Sequence, residues 1–77
     1  MKFQVLYMHE SPREVVDAVE ELAREKPHLE VIVSEWPDPP RYVPSPVARY
    51  DGQCQVNEYG AEAVIHLIKD IREGRVS

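Results

Sequence analysis

Residues 42–52 read Tyr-Val-Pro-Ser-Pro-Val-Ala-Arg-Tyr-Asp-Gly, and the way this stretch folds decides how the 77-residue chain is organised. Two prolines one residue apart fix φ and withhold backbone donors, so the stretch opens as a turn rather than as inner strand. Val47, Ala48, Arg49 and Tyr50 then have the extended character of a short strand. Asp51-Gly52 closes it with the strongest two-residue signal for a hairpin turn. The expectation is a strand entered through proline and left through a two-residue hairpin, with residues 53–56 pairing back.

Working outward toward the N-terminus, residues 2–9 (Lys-Phe-Gln-Val-Leu-Tyr-Met-His) place Phe3, Val5 and Tyr7 on one face and Leu6 and Met8 on the other. Apolar residues on both faces mark a strand in the middle of a sheet. Ser11-Pro12-Arg13-Glu14 opens a helix with a Ser N-cap, Pro at the first helical position and Glu three residues after the Ser. Val15, Val16, Val19, Leu22 and Ala23 form its apolar stripe, and Pro27 stops it near Lys26. Residues 29–36 make a second strand, with Leu29, Val31 and Val33 on one face and Ile32 on the other. Strand, helix and strand with short connections imply a right-handed parallel unit. Pro37, Pro39 and Pro40 make the next segment a stiff loop.

Beyond the hairpin, Asn57 or Gly60 releases the chain into a last helix. There Val64, Leu67, Ile68 and Ile71 keep the i, i+3, i+4, i+7 spacing, and Gly74 supplies a stop after Arg72. The whole is one α/β domain over residues 1–77, β-α-β-β-β-α, with a four-stranded mixed sheet and both helices on one face. So small a chain has a small core, and its stability is marginal unless a partner contributes.

A net charge of −5 argues against nucleic acid, where affinity comes from clustered Lys and Arg. The single cysteine cannot close an intramolecular disulfide, and no apolar run approaches the roughly 20 residues of a membrane span, so the expectation is a cytoplasmic chain without membrane contact.

The order β-α-β, proline turn, β-hairpin, α resembles the thioredoxin and glutaredoxin superfamily over nearly the whole chain. Val43-Pro44-Ser45, then a strand, then Asp51-Gly52 is similar to the family's Val/Ile-Pro-Thr segment with cis proline, strand and Asn-Gly or Asp-Gly hairpin. The opening V-L-Y-x-x-x-S-P resembles the glutaredoxin strand leading to Cys-Pro-x-Cys. The resemblance implies a thioredoxin-like fold, a cis bond at Val43-Pro44 rather than at Ser45-Pro46, and a groove between the first helix's start and the Pro44 turn that binds extended chains.

Ser11-Pro12-Arg13-Glu14 stands where the family has its Cys-Pro-x-Cys, so both redox thiols are missing, and a serine hydroxyl is not acidic enough to replace a thiolate. The expectation is a redox-inactive module that binds protein or peptide through His9, Glu10, Ser11, Arg13, Val43, Pro44 and Ser45, with no catalytic residue, metal or cofactor, existing as a monomer or weak homodimer. The alternative is a glutathione- or thiol-dependent enzyme using Ser11 or Cys54. Ala61 occupies the position where glutathione transferases, which the last helix's Ala-Glu-Ala-Val-Ile start resembles, carry the serine that holds the γ-glutamyl carboxylate. Cys54, on one strand face with Val56, is expected to be packed and inert. His9, His28 and His66 lack metal-like spacing, and His66 lies one turn from Glu62 and Asp70 as part of a surface network. Leu6, Met8 and Ile32 need a cover, expected from Trp36, the prolines and Tyr42 or from a second copy.

Overall fold

A computed structural model describes residues 1–7, 12–35 and 44–76. The chain forms β1 (Lys2–Tyr7), α1 (Arg13–Glu25), β2 (Glu30–Glu35), β3 (Val47–Asp51), β4 (Gln55–Tyr59) and α2 (Ala61–Arg72). The four strands make one mixed sheet in the order β2-β1-β3-β4. β1 runs parallel to β2 and antiparallel to β3, and β4 returns antiparallel to β3. The α/β class and the element order are those the sequence predicts.

The core lies on one face of the sheet. Phe3 and Val5 of β1 are fully buried, and the register sets Phe3 beside Val31 and Tyr50, and Val5 beside Val33 and Ala48. Val15, Val19 and Leu22 of α1 and Val64, Leu67, Ile68 and Ile71 of α2 join them in a single cluster. Both helices therefore cover the same face, and they pack on each other. On α1 the inward stripe runs through the half-buried Ala18 rather than through Ala23, which is exposed. The Tyr50 hydroxyl, carried into this core, donates to the Met1 sulfur at 3.1 Å.

Where the helices clasp, the Arg72 guanidinium holds the Glu25 carboxylate through Nε and, at 2.9 Å, through Nη2, and reaches Glu21 at 3.2 Å. The hydrogen bond from Arg72 pulls the Glu25 carboxyl below its ordinary range, and Glu25 in turn raises Arg72.

The hairpin differs from its sequence signal. Asp51 lies in β3 opposite Gln55, so the connection is three residues, 52–54, rather than the two-residue Asp51-Gly52 turn. Gly52 donates to the Cys54 carbonyl at 3.3 Å and does not take a positive φ. Packing explains the change. A two-residue turn at 51–52 would set Gln53 and Gln55 beside Tyr50 and Ala48 on the core face, whereas the observed register sets Val56 beside Tyr50. The return strand is accordingly residues 55–59 and not 53–56. Cys54, expected on a strand face with Val56, sits in the turn and is exposed.

Among the described residues the cis peptide bond is Ser45-Pro46, an X-Pro bond that the sequence did not favour. The bond at Pro44 rests on Val43, which lies outside the described residues. Pro46 is buried immediately before β3, so no ladder donor is lost, and its carbonyl accepts from the Gly60 N–H at 2.8 Å. Met8, Trp36, the prolines at 37, 39 and 40, and Tyr42 also lie outside the described residues.

Candidate functional site

One end of the sheet brings together the ends of several elements. The parallel strands β1 and β2 both finish there, at Tyr7 and Glu35. β3 starts there with Val47 opposite Leu6, and β4 finishes there with Tyr59 opposite Val47. Helices α1 and α2 both begin at the same end, so two helix N-termini, each with a partial positive charge and free N–H groups, face the same side. In open α/β sheets the space outside the carboxyl ends of the parallel strands is where ligands bind.

Three of the seven residues named from the sequence are among the described residues, and all three lie at this end. Arg13 opens α1 with an exposed side chain 3.5 Å from Asp17, one turn along. Pro44 is exposed and Ser45 half-buried on the approach to β3. His9, Glu10, Ser11 and Val43 lie outside the described residues.

Gly60 completes the floor. Its N–H ties it to Pro46, and its φ of 94° with ψ of 154° belongs to a region that only glycine enters readily. A Cβ at Gly60 would lie 3.6 Å from the Pro44 Cβ. Sequence reasoning saw Gly60 only as the release into α2. Its place in the site follows from strand parity, since β4 must finish beside the start of β3.

Cys54 is at the opposite end. Its turn follows Asp51, which pairs with Lys2 at the beginning of β1. Val47 to Asp51 spans about 13 Å of strand, so the thiol and the α1 start cannot act on one bond. Likewise His66 lies on the outer side of α2, 3.8 Å from Asp70, away from the site end. Among the described residues no three His, Cys, Asp or Glu side chains group closely enough to hold a metal ion, and no helix is long and apolar enough to cross a membrane.

The face of the sheet away from the helices is graded along the strands. Nearest the site end a row runs Ser34, Leu6, Val47, Tyr59, followed by Ile32, Gln4, Arg49, Asn57, then by Glu30, Lys2, Asp51, Gln55. Its apolar part thus adjoins the candidate site. Searched against known proteins, the chain matches no family model, no curated protein and no solved structure.

Proposed function

We propose that this chain is a redox-inactive, thioredoxin-like module that binds an extended protein or peptide segment at the end of the sheet formed by Arg13, Pro44, Ser45 and Gly60. The observation that carries the reading is the convergence there of the first helix's start and the proline approach to β3, on a β2-β1-β3-β4 sheet whose central strands are β1 and β3. An extended chain is held by backbone pairing and by pockets for alternate side chains, and the exposed Tyr59 with the half-buried Leu6 beside this end supplies apolar surface for the latter. Absence of redox chemistry follows from Ser11 and Glu14 at the thiol positions of the family the chain resembles, and from the distance of Cys54. A lone thiol suits a reducing compartment, and we place the protein in the cytoplasm.

The test is a photo-crosslinking residue placed at position 13, 44 or 53, exposed to extract of the source cells, together with a titration of labelled protein with reduced glutathione. Adducts to polypeptide from positions 13 and 44 but not from 53, with amides of Ser45, Val47 and Ala61 unmoved by glutathione, are the expected result. Saturable glutathione shifts at those amides, or turnover of a small disulfide by the chain, would replace the binding module with a thiol-dependent enzyme.

A further inference from the structure

The outer flank of β4 and α2 is a second unpartnered surface. Among the described residues no strand pairs with the outer edge of β4. That edge reads Gln-Val-Asn-Glu-Tyr, without the proline or lysine by which edges are ordinarily blunted. Because Gly60 donates to Pro46 and bonded pairs alternate along an antiparallel ladder, the backbone groups of Val56 and Glu58 turn toward β3. Those of Gln55, Asn57 and Tyr59 therefore turn outward. The Tyr59 side chain is half exposed on the same strand. Between β4 and α2 runs an open groove of about 850 Å³, lined among others by Val56, Glu58, Ala63, His66 and Leu67.

We propose that this flank is where two copies of the chain meet, β4 to β4 antiparallel about a two-fold axis at Asn57, with the two α2 helices packing alongside. This inference stands apart from the peptide-binding reading and does not need it. Three observations point to a second copy as the occupant. Centred on Asn57, the pairing sets Gln55 opposite Tyr59 and Asn57 opposite Asn57, so each outward-facing residue of β4 meets another with its groups facing outward. Strand and helix also share a midpoint. β4 spans about 17 Å and α2 about 18 Å, and they run antiparallel from Gly60, so an axis through Asn57 passes close to His66 and Leu67.

The spacing fits as well. With strands about 4.8 Å apart and α2 seated over β3 and β4, the two helix axes come to lie roughly 10 Å apart, the separation at which helices pack. Ala63, one turn before Leu67, leaves room for the second helix.

Sedimentation velocity of the wild type from roughly 10 μM to 1 mM should show mass doubling with concentration. Asn57→Pro removes an outward N–H without touching the β3 ladder, and should leave a folded monomer with unchanged circular dichroism. In a Cys54→Ser background, Asn57→Cys should oxidise to a covalent dimer, because residues facing each other in a bonded antiparallel pair have Cα atoms about 5.5 Å apart, within disulfide reach. Gln55→Cys should not, its counterpart lying roughly 13 Å further along the strand. A wild type that stays monomeric throughout, an Asn57→Pro variant that still dimerises, or cross-linking of Gln55→Cys as readily as Asn57→Cys would each overturn the proposal.

Discussion

Replacing Phe3 with alanine tests where the core is. The side chain is fully buried in the second position of β1, between Val31 and Tyr50 and beneath both helices. Truncating a buried phenylalanine to alanine costs about 3–5 kcal/mol, from lost burial plus the cavity left behind. A domain of 77 residues has a total stability of about 4–12 kcal/mol at roughly 0.05–0.15 kcal/mol per residue, so Phe3→Ala should remove a large part of it. In urea, with a slope of about 1 kcal/mol per molar for so short a chain, the midpoint should fall by about 3 M, or the variant should be unfolded without denaturant. Val33→Ala is the control. Val33 shares the core face of the sheet but is 53% exposed at the edge, and losing its two methyl groups should cost under about 1 kcal/mol. Far-UV circular dichroism through a urea series measures both. A Phe3→Ala loss under about 1.5 kcal/mol, or a Val33→Ala loss equal to it, would show that the helices do not bury this face as described.

Cys54→Ser should leave the thermal midpoint unchanged, and a thiol reagent should react with native Cys54 as fast as with unfolded chain, because the side chain is exposed in the β3–β4 turn. The Glu25 carboxyl should titrate below its ordinary value of 4.5 by carbon NMR and return to it in Arg72→Gln, since the Arg72 hydrogen bond is the main cause of the shift. A depressed carboxyl contributes stability above its unfolded pKa and loses it as pH falls through the folded value, so the two proteins should differ in thermal midpoint above pH 4.5 and converge in stronger acid. Gly60→Ala should cost about 1–3 kcal/mol, because φ of 94° with ψ of 154° is open to glycine alone. Gly74→Ala, at φ of 76° with open space around it, should cost about 1 kcal/mol, and thermal melts of the pair give the order.

The helices were legible because apolar residues recur with the helical period over three turns, as in Val64, Leu67, Ile68 and Ile71. Ala23 was misplaced because a small side chain weighs little in such a pattern, and Ala18 rather than Ala23 packs against the core. The β3–β4 turn was misread because Asp51-Gly52 is a local signal, whereas the register is set by which side chains of the returning strand can lie beside Tyr50 and Ala48. The same error moved Cys54 from a strand face into a turn. The cis bond at Ser45-Pro46 was not legible because the partner of the Pro46 carbonyl is Gly60, fourteen residues further on. At the candidate site the sequence named residues from two distant stretches. The sheet brings Arg13, Pro44 and Ser45 to one end, and adds Gly60.

The seam between β1 and β3 divides the molecule into two nearly equal parts. Residues 1–35 supply two strands and a helix, and residues 44–76 supply two strands and a helix. What joins them across the sheet is a single ladder, Leu6 to Lys2 against Val47 to Asp51, reinforced by the helix contact and the Arg72 clasp on Glu21 and Glu25. Neither part can bury its apolar face alone, because the core cluster is shared between them and two strands with one helix are too few to form an independent core. A backbone cut within residues 36–43 therefore produces two complementary fragments, and a reporter divided at that point regains its signal only as Phe3 comes to lie beside Tyr50.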